Sequence, residues 1–222
     1  MLQATTLQFL KDLKKNNNKE WFEKNRKQYE TAKADFLLLT TNVLAELSKI
    51  DPAIAHLEPK KCVFRINRDV RFSKDKSPYK SNMGLYIAKT GKNGVSAGYY
   101  LHVEPESCFI GGGLYGPNAD FIQKVRQEID YHWKEFSGIL KTKKFLSVYD
   151  GLNMNKEYSL TRPPKGYEAD NIAIEFIKLK SWIATTTITD EELMDKKLIK
   201  KIITDFHALQ PLINFLNRAI EV

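Results

Sequence analysis

The chain has 222 residues, 35 of them Lys or Arg and 27 Asp or Glu, which leaves a net charge of +8. Its 42% hydrophobic content excludes a disordered polymer, and its length is enough to bury a sizeable core. No apolar run approaches the ~20 residues that span a bilayer. The N-terminal stretch lacks the order of regions that marks a signal peptide, and the two cysteines, Cys62 and Cys108, form no C-x-x-C pair or disulfide framework. The expected setting is the reducing cytoplasm, away from membranes.

In chain order, a first helix is expected from an N-cap at Thr5 or Thr6 to the stop at Asn16, Asn17 and Asn18. A long helix follows, capped by Asn18 and carrying Phe22, Tyr29, Phe36, Val43 and Leu47 on one seam, and it ends before Pro52. From Cys62 the period changes to two. Residues 64–72 read as a strand, and 83–89, 97–104 and 107–114 as three more with turn chemistry between them. Such short links imply antiparallel neighbours, since parallel strands need long crossovers. Helix returns after Asn118, a short helix is expected over 171–180 and a late strand over 181–189. Thr189 and Glu192 then form a capping-box signature for the last helical region, where Pro211 is expected to bend or divide the helix. The order is α+β: one antiparallel sheet of about five or six strands, covered by long N- and C-terminal helices, in a single domain over 1–222.

The common nucleotide and hydrolase signatures are missing: no P-loop, no G-x-S-x-G elbow and no H-E-x-x-H. Gly111, Gly112 and Gly113 follow a strand but do not open a helix, so they read as a bulge or a close backbone approach rather than a dinucleotide loop. His102 and Glu104, two apart on a strand, share a face. They form a possible metal-ligating or proton-holding pair, although a surface or ion-paired histidine is the commoner meaning. Nothing in the sequence names a cofactor.

The charge is unevenly spread. Residues 62–80 carry six basic and two acidic groups, so half of the net excess lies in 19 residues. The stretch F-R-I-N-R-D-V-R-F-S-K-D-K-S-P-Y-K spans 64–80. Arg65, Arg68, Arg71, Lys76 and Lys80 are candidate contacts for a carboxylate or phosphate, because guanidinium forks match such groups. Asp69 is a candidate to orient an arginine or act as a base, and Tyr79 is a second catalytic candidate. Three readings stand open: a site for a small phosphorylated or carboxylate-bearing ligand, a nucleic-acid module using the same patch with Tyr86, Tyr99 or Tyr100 as stacking surfaces, and an interaction scaffold whose arginines are structural. Neither a reaction nor an oligomeric state is legible.

The same stretch resembles the signature of domain of unknown function 2461, a family of uncharacterised bacterial and fungal proteins, whose F-R-I-x-R-D-x-R-F-S-x-x-K-x-P-Y-K core is matched from Phe64 to Lys80 without a gap. Tyr99 to His102, Gly112 to Tyr115, Arg126 and the Leu160–Gly166 loop fit as well. So does the closing pattern of Pro211-Leu212 and Phe215-Leu216. The resemblance implies a single α+β domain and no particular activity.

Overall fold

A computed structural model of the chain describes residues 1–221. Helices α1 (Ala4–Lys15), α2 (Lys19–Lys24), α3 (Arg26–Leu47) and α4 (Pro59–Cys62) precede strands β1 (Met83–Ala88), β2 (Gly98–Val103) and β3 (Phe109–Leu114). Then come α5 (Ala119–Tyr131), α6 (Trp133–Leu140), α7 (Lys143–Leu146), α8 (Ile174–Ile177), β4 (Trp182–Thr187), α9 (Asp190–Met194) and α10 (Leu198–Glu221). The architecture is α+β, with one antiparallel sheet in the order β1-β2-β3-β4. No helix among the described residues is long and apolar enough to cross a membrane.

The sheet has four strands, not five or six. The expected strand over 64–72 is irregular chain that makes only isolated bridges, Val63 to Leu85 and Asn67 to Tyr79. Arg68 N–H donates to the Pro78 carbonyl at 3.0 Å and Lys80 N–H to that of Ile66 at 2.8 Å. Pro78 has no N–H to return, so the pairing stops after these rungs. The helix expected over 18–50 is also broken, at Asn25, whose side-chain amide donates back to the Trp21 carbonyl at 2.9 Å. The first helix begins at Ala4 rather than after a threonine cap. Asp35 of α3 supplies the N-terminal acceptor from a distance, taking the Gln3 N–H at 2.9 Å and the Thr6 hydroxyl at 2.6 Å. Pro211 lies inside α10 without dividing it. The buried Leu209, Leu212, Ile213 and Leu216 around it hold the helix together across the missing hydrogen bond.

The chain forms two compact units. The first comprises residues 1–87, 100–110 and 187–204. There Phe9 meets Trp21, Phe22 and Tyr29 at 6.0–6.5 Å between ring centres, which fixes α1 against the α2–α3 pair. The capping box forms as expected: the Glu192 N–H donates to Thr189 Oγ1 at 3.1 Å and the Thr189 N–H to Glu192 Oε2 at 2.8 Å. Thr189→Ala is therefore expected to cost about 1 kcal/mol. A calorimetric melt should fall by roughly 2–4 °C, and an unchanged melt would refute the cap's contribution.

The second unit comprises residues 88–99, 111–186 and 205–221. Tyr99 packs on Phe206 at 5.1 Å, and Leu209 fills the space beside Gly112, so the C-terminal helix covers the apolar side of the sheet here. Arg218 of α10 ties α5 and α6 together through Glu128 at 2.7 Å and Glu135 at 2.7–3.0 Å. Buried Arg126 donates to the main-chain carbonyls of Ile177 and Leu179.

Candidate functional site

Alternation along β2 creates two unlike faces. Tyr99, Leu101 and Val103 are at most 1% exposed and build the core. Tyr100 and His102 point the other way and, with Glu104 just past the strand end, form a half-buried polar row. The Tyr100 hydroxyl lies 2.9 Å from His102 Nδ1, and the Asn82 amide nitrogen 3.3 Å from the same atom. His102 Nε2 faces Glu104 Oε2 at 3.4 Å. A carboxylate only accepts, so Nε2 carries the proton, and the single lone pair of Nδ1 accepts from the nearer Tyr100 hydroxyl, with the Asn82 amide a longer second contact. Phe109 of β3 stacks on the imidazole at 4.7 Å and fixes its plane. Glu104 Oε1 takes two further donors, Ser81 Oγ at 2.9 Å and Lys14 Nζ at 3.2 Å.

Burial pushes the His102 pKa down more than Glu104 pulls it up, which favours the neutral ring. Burial also opposes ionisation of Glu104, but hydrogen bonds from Ser81, Lys14 and His102 together outweigh it and hold the carboxyl below its usual range. Burial pushes the Tyr100 hydroxyl up to about 12, so it acts as a donor and not as a phenolate. Cys108 donates to the Glu104 carbonyl, and burial, reinforced by the charge of Asp190, raises its thiol to about 11. It is not a nucleophile at neutral pH.

The basic segment reaches this row at one end. Lys80 Nζ lies 5.4 Å above the Phe64 ring, and Phe64 meets Tyr100 edge-on at 6.3 Å. Most of the other candidates are engaged locally. Arg68 pairs with Asp75 and donates to the Ser77 carbonyl at 3.2 Å. Arg71 forms a two-pronged pair with Asp69 at 2.6 and 3.0 Å and lies over Phe72. Lys76 donates to the Val70 carbonyl at 2.9 Å, and Arg65 is exposed. Asp69 is held below its usual range by the Arg71 side chain and N–H, which suits it to gripping a guanidinium more than to accepting a proton. Tyr79 is 6% exposed, its ring stacked on Phe22 at 3.9 Å and its main chain bonded in both directions to Asn17. It anchors the segment to α2. Among the described residues no group of three His, Cys, Asp or Glu is placed to hold a metal ion. His102 and Glu104 hydrogen-bond each other instead.

Residues 5–215 match the model of a family described as "Conserved hypothetical protein (DUF2461)". The chain belongs to this family. No curated protein and no solved structure matches it. Membership of DUF2461 assigns no activity to the basic signature or to the β2 row. The spacing of Tyr100, His102 and Glu104 places them on one face, but Lys14, Ser81, Asn82 and Phe109 complete the row from positions that no local pattern marks.

One pH dependence follows from the segment itself. Asp75 is lowered from 3.8 to about 2, first by the Ser77 hydroxyl and N–H and then by Arg68. A folded-state pKa below the unfolded one contributes stability that is present above about pH 4 and is lost as pH falls through about 2. The Ser77 amide resonance is expected to move with a midpoint near 2 in a backbone NMR titration, while a midpoint near 4 would show that these bonds do not form.

Proposed function

We propose that the protein binds a small phosphorylated or carboxylate-bearing ligand where residues 64–80 meet the Tyr100 row. The carrying observation is Lys80 above Phe64, with Phe64 against Tyr100. Together they line up an ammonium group, an aromatic ring and a phenol whose hydroxyl is bonded to His102. Arg65, Arg68, Arg71 and Lys76 supply further positive charge along the same segment. Asp75 and Asp69, the partners of Arg68 and Arg71, are 61% and 45% exposed, so a ligand oxyanion competes with them in water, where such pairs are weak.

A thermal-shift panel of nucleotides, sugar phosphates and organic acids tests this. A ligand at 100 times its dissociation constant adds about 2.7 kcal/mol, which for a chain of this size raises the melt by roughly 5–10 °C. The double variant Arg68→Ala, Arg71→Ala is expected to lower the unliganded melt by no more than a few degrees, because the pairs it removes are weak surface pairs, and to lose that rise. A panel with no hit overturns the reading.

One observation favours a second reading. Phe72 is 95% exposed beside Arg71, an arrangement that stacks bases and neutralises phosphates in single-stranded nucleic acid. In that case a labelled oligonucleotide binds with a steep salt dependence, and Arg71→Ala lowers the logarithmic slope by about one unit.

A further inference from the structure

The polar row has a property that simple charge attraction lacks. In the neutral ring, the one lone pair of Nδ1 is an acceptor, and the Tyr100 hydroxyl is spent on it, with the Asn82 amide a longer second contact. In the protonated ring, Nδ1 becomes a donor. Its single N–H then donates to the nearer Tyr100 oxygen, which frees the Tyr100 O–H for another acceptor. Nε2 remains a donor to Glu104 in both states. Tyr100 therefore partners the ring in both protonation states, as donor in one and as acceptor in the other, and only in the second can its O–H serve a ligand.

We propose that the Tyr100 hydroxyl is the donor that contacts a tetrahedral oxyanion of the ligand, and that this anion is bound together with one solvent proton taken up by His102. The proposal rests on the anion-binding reading above and gives that site its contact atom. The proton goes from solvent to Nδ1, no covalent bond to the anion forms or breaks, and the bound anion faces an imidazolium instead of a neutral ring.

The groups around the ring agree with this. Glu104 faces Nε2 and stabilises the positive ring, while Lys14 of α1 and Ser81 each donate to that carboxylate and keep it ionised. Asn82 ahead of β1 and Phe109 of β3 contribute no charge. Lys80 approaches through Phe64, on the Tyr100 side, where the anion would offset it. Burial favours the neutral form of the free ring, so binding of the anion is coupled to proton uptake. Affinity accordingly falls as pH rises through the His102 pKa of the complex, and by linkage the anion raises that pKa.

Gly84 supports the placement of the hydroxyl. A Cβ there would lie 2.9 Å from Tyr100 Oη and 3.2 Å from the ring, so the bare glycine is what lets the phenol lie flat toward His102. The atom displaced is the tip of a side chain, so Gly84→Ala moves the hydroxyl without a large folding penalty.

The experiment is an NMR titration of the His102 ring, assigned with His102→Gln, in sodium sulfate and in sodium chloride of equal ionic strength. Sulfate carries the tetrahedral oxyanion without titrating near neutral pH, and the matched chloride removes general screening. The expected result is a His102 pKa higher by about one unit in sulfate, as for a charge placed within ~4–6 Å of the group. That rise should vanish in Tyr100→Phe and shrink in Gly84→Ala. Sulfate shifts in the amides of residues 64–80 with an unmoved His102, or with an equal rise in Tyr100→Phe, would overturn this proposal and leave anion binding standing. No sulfate-dependent shift anywhere in 64–80 or in the row would overturn both.

Discussion

Gly113→Ala is expected to destabilise the native fold severely. Gly113 has φ +124°, and a Cβ built on it would lie 2.0 Å from the Trp182 carbonyl oxygen and 3.0 Å from Ile183 Cα. Both atoms are main chain of β4, so no side chain can swing aside. Relief requires β4 to move off β3, and Trp182, buried completely, goes with it. Backbone strain at such a φ costs about 1–3 kcal/mol by itself. Loss of the strand contact takes the total to roughly 4 kcal/mol or more, a large share of the 5–15 kcal/mol that holds a typical domain together. Soluble yield and far-ultraviolet circular dichroism measure the outcome. A variant that melts within a few degrees of the parent would show that β3 and β4 tolerate separation. The neighbouring Gly111 and Gly112 face main-chain oxygens at 2.5 Å in the same way, so all three glycines serve close approach within the sheet and none is needed for a nucleotide.

How far the sequence reveals such features depends on the range of the interactions. The capping box, the Asn18 cap and the strands now seen at Met83–Ala88, Gly98–Val103, Phe109–Leu114 and Trp182–Thr187 are local patterns, and they are legible to within a few residues. The extra strand over 64–72 was suggested by equally good alternation. It fails because its partner segment contains Pro78, a matter of pairing that one segment's periodicity does not encode. The break at Asn25 is hidden for a related reason: an asparagine tolerated inside a helical seam also bonds back to a carbonyl and closes α2. At the candidate site, residue spacing puts His102 and Glu104 on one face. Lys14 reaches Glu104 across 90 positions of sequence, and nothing near either residue announces it. The arginines of 64–80 were visible as charge, whereas their carboxylate partners and the burial of Tyr79 are products of the fold.

Arg126→Ala is expected to destabilise the protein by about 3 kcal/mol without disturbing anion binding. Arg126 sits on α5 at 8% exposure, and its guanidinium donates to the Ile177 carbonyl at 2.7 Å and the Leu179 carbonyl at 3.2 Å. These carbonyls belong to the turn that leads from α8 into β4, so one side chain fixes the entry of a strand. Burial lowers its pKa, which is the mark of a charge held by dipoles instead of by a carboxylate. Truncation removes the buried charge, a gain, but strips two buried carbonyls of their donor at about 1–3 kcal/mol each and leaves a void. The net corresponds to a melt lower by roughly 6–12 °C. Arg126→Lys separates the two contributions. It keeps the charge while replacing the fork with a single ammonium that cannot match both distances, so it is expected to melt no higher than the alanine variant. A lysine variant close to the parent would mean that charge, not the forked geometry, is what the turn requires.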